Sequence, residues 1–317
     1  CRCHEKKPHR LHSTIVMLRS SLTRRRILFG LAGFAGAAAL AGCSSSVAPL
    51  TSTTSTTLKN GEPFYTLGAR FPDGFNASSL IAAGSPQRAP YVLMGNDGWP
   101  ATEGVPDSIE LAITHNNALL ETITVNRHGE RGSTPYYPLV FTPPKTGTYE
   151  ITLVSSNETH FLKVGEASAL PMVLVGDALP TLETPTLQNP QGIDPVCSQF
   201  DGPCPFHEVT LTEALAKPGP TAVLVSTPGF CQTDVCGPAL DVLVAEAARL
   251  EEDWSIIHAE VYAAPNSGDF STAPIVEGLG LPFEPSLYAA NADGVVTGVL
   301  HLAMDQPEIS AALATAV

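Results

Sequence analysis

The chain has 317 residues, with 28 Pro, 26 Gly, 44% apolar and 15% charged side chains, a composition that suits globular domains joined by loops and excludes disordered and collagenous classes. At roughly 100–200 residues per domain, two domains are expected, and no aliphatic run reaches the roughly 18 residues of a membrane span. Residues 1–42 hold 8 of the 17 Lys and Arg and one acid, Glu5, so the other 275 residues carry 9 basic and 30 acidic side chains, a balance that repels phosphate backbones and excludes nucleic acid as a partner.

Residues 1–42 read as an address. Thr23-Arg24-Arg25-Arg26-Ile27-Leu28 opens a 15-residue apolar stretch, Ile27 to Ala41, which ends Leu40-Ala41-Gly42-Cys43. A basic start, a short apolar middle and small residues at a cleavage point make a signal peptide. Arg24 and Arg25 resemble the twin-arginine export signal, and Leu-Ala-Gly-Cys resembles a bacterial lipobox. These resemblances imply cleavage before Cys43, diacylglycerol on its sulfur, and an anchor at the extracytoplasmic face of the cell membrane. Met17 is expected to be the true start. Residues 43–60, with a Ser/Thr run at 51–57, are expected to form a flexible tether.

Residues 61–167 are expected to form an all-β sandwich. Short β-rich runs recur between turn signals at 91–94, 108–113, 119–125, 136–141, 148–153 and 160–164. Tyr149, Ile151 and Leu153 alternate with Thr148, Glu150 and Thr152, which buries one face. Thr142-Pro-Pro-Lys-Thr-Gly147 followed by Tyr149 resembles the corner before a late strand of immunoglobulin-like sandwiches. His115, His128 and His160 show no ligand spacing, so the domain reads as a spacer or docking module.

Of 7 cysteines, two lie in the leader and Cys43 is the lipid site. Cys197, Cys204, Cys231 and Cys236 remain, an even number that suggests disulfides in an exported protein, with three connectivities open. Short loops favour Cys197–Cys204 and Cys231–Cys236. Residues 168–195, with five prolines, read as a linker. Cys197-x6-Cys204 is expected to be a structural clip pinning that linker, or alternatively a resolving pair passing electrons to Cys231.

Residues 196–317 carry the chemistry. Thr221-Ala-Val-Leu-Val-Ser226 suits a strand buried on both faces. A Cys-containing turn comes next, then a helical pattern at Leu240, Leu243, Ala247 and Leu250. Residues 254–262 and 286–290 read as further strands, Asp293-Gly294 as a turn into 295–301, and Asp305 with Glu308 as the start of a last helix. This order resembles the thioredoxin fold over residues 205–317. The resemblance rests on Cys231 between a buried strand and a helix, Pro238 about two turns on as a kinking proline, Pro285 at the family's cis-proline position, and the closing hairpin and helix. Actinobacterial thioredoxin-like lipoproteins share a cysteine pair before a Gly-Pro helix. The resemblance implies a membrane-anchored thiol–disulfide oxidoreductase acting on protein thiols or disulfides of the cell envelope. Cys231 is then the attacking thiol, Cys236 the resolving one and Pro285 the substrate-side platform, with no cofactor and no metal.

The departures define the alternatives. Four residues separate the cysteines where thioredoxins have two. Five helical steps put Cα atoms roughly 8–9 Å apart, beyond the roughly 7 Å reach of a disulfide. Cys231 is therefore expected in the loop before the helix, or in an unwound first turn. The family's buried proton-relay Asp falls near Val225, leaving Asp234 as a local candidate. Thr227-Pro-Gly229 resembles peroxiredoxins, but the only Arg of the domain is Arg249. Copper-delivery proteins of this fold add a His shortly before the third strand, whereas His207, His258 and His301 lie elsewhere. A docking protein that only binds is the non-enzymatic alternative.

Overall fold

A computed structural model describes residues 64–69, 81–129, 133–231 and 235–317, all within one compact unit. Arg24, Arg25, Cys43, the tether and Asp234 lie outside the described residues.

The first half carries β1 (Thr66–Gly68), β2 (Ile81–Ala82), β3 (Gln87–Met94), β4 (Ser108–His115), β5 (Ala118–Asn126), β6 (Tyr137–Phe141), β7 (Gly147–Leu153) and β8 (Glu158–Gly165). The last six fall on the β-rich runs. β1 and β2 are three and two residues long, too short for alternation to reveal. The strands form two sheets, β1-β3-β6 and β2-β8-β7-β4-β5. Their inward residues, among them Tyr91, Leu139, Leu111, Ile113, Ile151 and Leu162, share one core, which makes the half a β-sandwich. Tyr149 sits fully buried in it, and its hydroxyl donates 2.7 Å back to the Lys145 carbonyl, closing the Pro-Pro-Lys corner.

The second half is mixed: α1 (Leu211–Leu215), β9 (Thr221–Val225), α2 (Cys236–Ala247), β10 (Ser255–Ala259), β11 (Tyr262–Ala264), β12 (Asp269–Thr272), α3 (Pro274–Gly278), β13 (Ser286–Ala290), β14 (Val296–His301) and α4 (Gln306–Ala314). One sheet runs β10-β9-β13-β14, with β10 parallel and β13 antiparallel to β9, and β14 antiparallel to β13. Every residue of β9 is buried. Val223 and Val225 face one core with α1 and α3, while Ala222 and Leu224 face another with α2 and α4. Hence the continuous apolar run: alternate residues serve different layers. A reciprocal cap starts α1, Thr210 Oγ1 accepting from Glu213 N and Glu213 accepting from Thr210 N.

Three expectations need correction. The run 254–262 is not one strand. β10 ends at Ala259, and Tyr262 opens a separate two-stranded hairpin of β11 and β12. Pro238 does not kink its helix, because α2 starts at Cys236 and Pro238 falls in the first turn, where backbone N–H groups have no intrahelical acceptor anyway. Nor is 168–195 a linker. Leu179 and Ile193 are buried in the α/β core, Val173 N donates to Leu279 O at 3.1 Å, and Leu179 N donates to Gly294 O at 2.9 Å. The prolines stop regular structure without stopping burial.

The two halves share a core as well. Leu302 and Ala303, just past β14, lie in the sandwich core, with Val235 and Phe283 packed against it. Arg88 on β3 pairs with Glu308 on α4 at 2.7 Å, both side chains about one-tenth exposed, and donates to the carbonyls of His301 and Ala303 at 2.7 and 2.6 Å. Tyr136 OH donates to Glu308 at 2.6 Å, and Asp305, the N-cap of α4, lies 3.0 Å from His128.

Candidate functional site

Three strand ends meet at one edge of the α/β sheet. The parallel strands β9 and β10 finish there, and β13 begins there, with Ser286 paired to Val225. The loop entering β13 therefore lies beside the loop leaving β9. Accordingly, the sulfurs of Cys231 and Cys236 and a carboxylate oxygen of Glu284 all lie within 4.8 Å of one another. Pro285 comes next, joined to Glu284 by a cis bond. The structure thus brings Cys231, Cys236 and Pro285 to one place.

Cys231 lies in the loop, as its spacing requires, but the sequence places Cys236 a turn into the helix. Instead Cys236 is the first residue of α2, after Val235, which makes no side-chain cap. Cys236 is fully buried and Cys231 half-buried. Burial, then the hydrogen bond to Cys231 and the charge there, hold the Cys236 thiol well above its ordinary range. A helix N-terminus favours thiolate by about 0.3–1 kcal/mol at the surface, too little to offset removal of the charge from water. The pair is asymmetric, with one accessible sulfur and one kept protonated.

Glu284 is the residue that sequence reasoning missed. It is 5% exposed. Burial, then the charges of Cys231 and Glu260, push its pKa up to about 8 against a smaller pull from Tyr262. Its side chain borders a cleft of about 150 Å³ lined by Val225, Val261, Tyr262, Leu281 and Phe283. Phe270, half-exposed, stands edge-on to both Phe230 and Tyr262 beside it, at 6.3 and 5.4 Å between ring centres. A larger hollow of about 360 Å³ lies between the sandwich and the β14–α4 face, and no cysteine lines it. Arg249 lies past the end of α2, paired with Glu246 at 2.6 Å. His301 is held by Ser286 Oγ at 2.8 Å and an edge contact with Phe283, and burial, then Arg88, lowers its pKa to about 3.

The other two cysteines have different company. The disulfide expected between Cys197 and Cys204 is not formed: all four cysteines of this half are thiols. Cys204 Sγ lies 3.3 Å from His207 Nε2 and 3.5 Å from His258 Nδ1, and Cys197 Sγ lies 3.7 Å from His258 Nδ1. The sulfurs also share a proton: the hydrogen bond from Cys204 holds Cys197 low, and the same bond, with burial, holds Cys204 high. His258 is carried by β10, and its N–H donates to Phe206 O at 3.2 Å, which lays the 204–207 segment along the strand edge. The local signal was Cys204-x2-His207. His258, alone in an apolar strand, gave none.

No protein-family model matches the sequence, and no curated protein matches it. Among solved structures, the chain is similar to the CARDB domain of a Pyrococcus furiosus protein, solved in complex with di-metal ions, at 17% identity and a TM-score of 0.19, over 35% of this chain and 95% of that one.

Proposed function

We propose that the protein is an extracytoplasmic thiol–disulfide oxidoreductase, held at the membrane by lipid on Cys43. Its α/β half is read as thioredoxin-like and its sandwich as immunoglobulin-like. The single observation behind the activity is the meeting of an accessible Cys231, a buried Cys236 and a buried Glu284 at the mouth of an apolar cleft. The strand order β10-β9-β13-β14, with the cysteines after β9 and Pro285 before β13, supports the fold reading. The Tyr149 hydroxyl on the Lys145 carbonyl supports the sandwich reading.

The chemistry comes from the asymmetry. Cys231, as thiolate, attacks one sulfur of a partner disulfide, giving a mixed disulfide and a released partner thiolate. Cys236 then loses its proton and attacks Cys231 Sγ, which releases the second partner thiolate and leaves the Cys231–Cys236 disulfide. Glu284 is placed to take the proton from Cys236 and pass it to the departing sulfur, and its pKa of about 8 suits both directions near neutral pH. The cleft beside Phe230 and Phe270 receives an apolar side chain of the partner polypeptide.

The test is capture. Cys236→Ser removes the intramolecular exit, so envelope extracts run without reductant are expected to show mixed disulfides through Cys231. Cys231→Ser is expected to show none. Absence of trapped partners in both variants, with equally slow alkylation of both thiols, overturns the proposal in favour of a docking protein.

A further inference from the structure

Cys197, Cys204, His207 and His258 present four donor atoms to a common point, all within 4.8 Å of one another. The two ring nitrogens facing each other, His207 Nε2 and His258 Nδ1, are 3.2 Å apart. A tetrahedral zinc ion, with Zn–S of about 2.3 Å and Zn–N of about 2.0–2.1 Å, separates its donors by about 3.3–3.8 Å. The four resolved separations, 3.2, 3.3, 3.5 and 3.7 Å, rise from N–N through S–N in the same range.

The surroundings orient the donors. His258 Nε2 lies 3.2 Å from Ser226 O, an acceptor only, so Nε2 carries the proton and Nδ1 turns its lone pair toward the cluster. His207 is 1% exposed, and its Nδ1 has no hydrogen-bond partner among the described residues. The ring is therefore held by what lies at Nε2. The backbone N–H of Cys204 donates to Cys197 Sγ at 3.4 Å, the contact a ligating thiolate accepts. Cys204, His207 and His258 are buried and Cys197 half-buried, which leaves one sulfur as the side of entry.

We propose that these four residues form a closed Zn(II) site that fixes the 197–207 segment against β10. Zn(II) with two thiolates and two neutral imidazoles has no net charge, which suits burial. A monovalent ion in the same set leaves a buried negative charge. Binding releases the two thiol protons to solvent and oxidises nothing. Four protein donors leave no open position, the mark of a structural site.

The test is the metal content of the full chain, purified without chelator. One zinc per chain is expected, with cobalt replacing it to give the visible bands of tetrahedral coordination and thiolate charge transfer. Cys204→Ser and His258→Ala are expected to lose the metal, and a Cys231→Ser/Cys236→Ser double variant to keep it. Should the single variants not fold, wild-type chain stripped of metal and titrated with cobalt gives the stoichiometry by itself. A metal-free chain two mass units light from a Cys197–Cys204 disulfide overturns the proposal, as does a metal other than zinc, or one lost with Cys231 and Cys236.

Discussion

Glu284 shows how one carboxyl can link chemistry to stability. Its ordinary pKa is 4.5, and in the folded protein it is about 8. Between those values the folded chain holds a proton that the unfolded chain has lost, so stability falls as pH rises through that window and levels off above it. At about 1.4 kcal/mol per pH unit the loss reaches about 5 kcal/mol, less the share set by the charge on Cys231. Glu284→Gln is expected to flatten that slope in urea titrations between pH 5 and 8, so that the variant gains on wild type as pH rises. In thiol exchange the same variant is expected to lose the inflection near pH 8. An unchanged slope would mean that the carboxyl is ionised in its cleft. None of this was legible from Glu284 itself, an acid before a proline. It becomes a partner of the cysteines only because β13 runs antiparallel to β9.

Elements, by contrast, were largely readable. β9 and the strands β3 to β8 declare themselves through apolar runs and alternation, because each buries side chains at a fixed period. The cysteine pair, Pro285 and the turn between them were readable too, since their spacing along the chain places them on either side of known strands. What the chain order hid was contact between loops. Gly229, two residues before Cys231, donates its N–H to Ser198 Oγ at 2.9 Å, and a Cβ there would sit 2.8 Å from the Ser198 carbonyl. Ser198 N in turn donates to Glu260 at 2.6 Å. The loop bearing Cys231 is thus seated on the loop bearing Cys197. Gly229→Ala is expected to cost about 1–3 kcal/mol, because backbone must move to admit the methyl. Gly237→Ala, in the first turn of α2 with no atom within 4 Å of its Cβ, is expected to stabilise by up to about 1 kcal/mol. Denaturant unfolding of the two variants checks both signs.

At the scale of the molecule, the halves that composition separates are joined by a buried ion pair. Arg88 keeps two backbone carbonyls besides Glu308, so Glu308→Ala leaves a guanidinium buried with half its charge balance gone. A loss of about 3–5 kcal/mol is expected, read as a lower urea midpoint or as two transitions replacing one. A single transition at the wild-type midpoint would show the halves to be independent. The same clamp sets a timetable for folding. Its partners are 213 to 220 residues apart in the chain, and contacts of such long range close slowly, because the loop entropy is lost before they form. The sandwich strands lie between residues 66 and 165 and pair among themselves. They can therefore assemble early, with the patch around Arg88 and Tyr136 left wet until α4 arrives. A newly exported chain spends that interval with an apolar face uncovered beside the membrane, and aggregation in the envelope, rather than loss of redox chemistry, is the first expected failing of a chain whose α4 docks slowly.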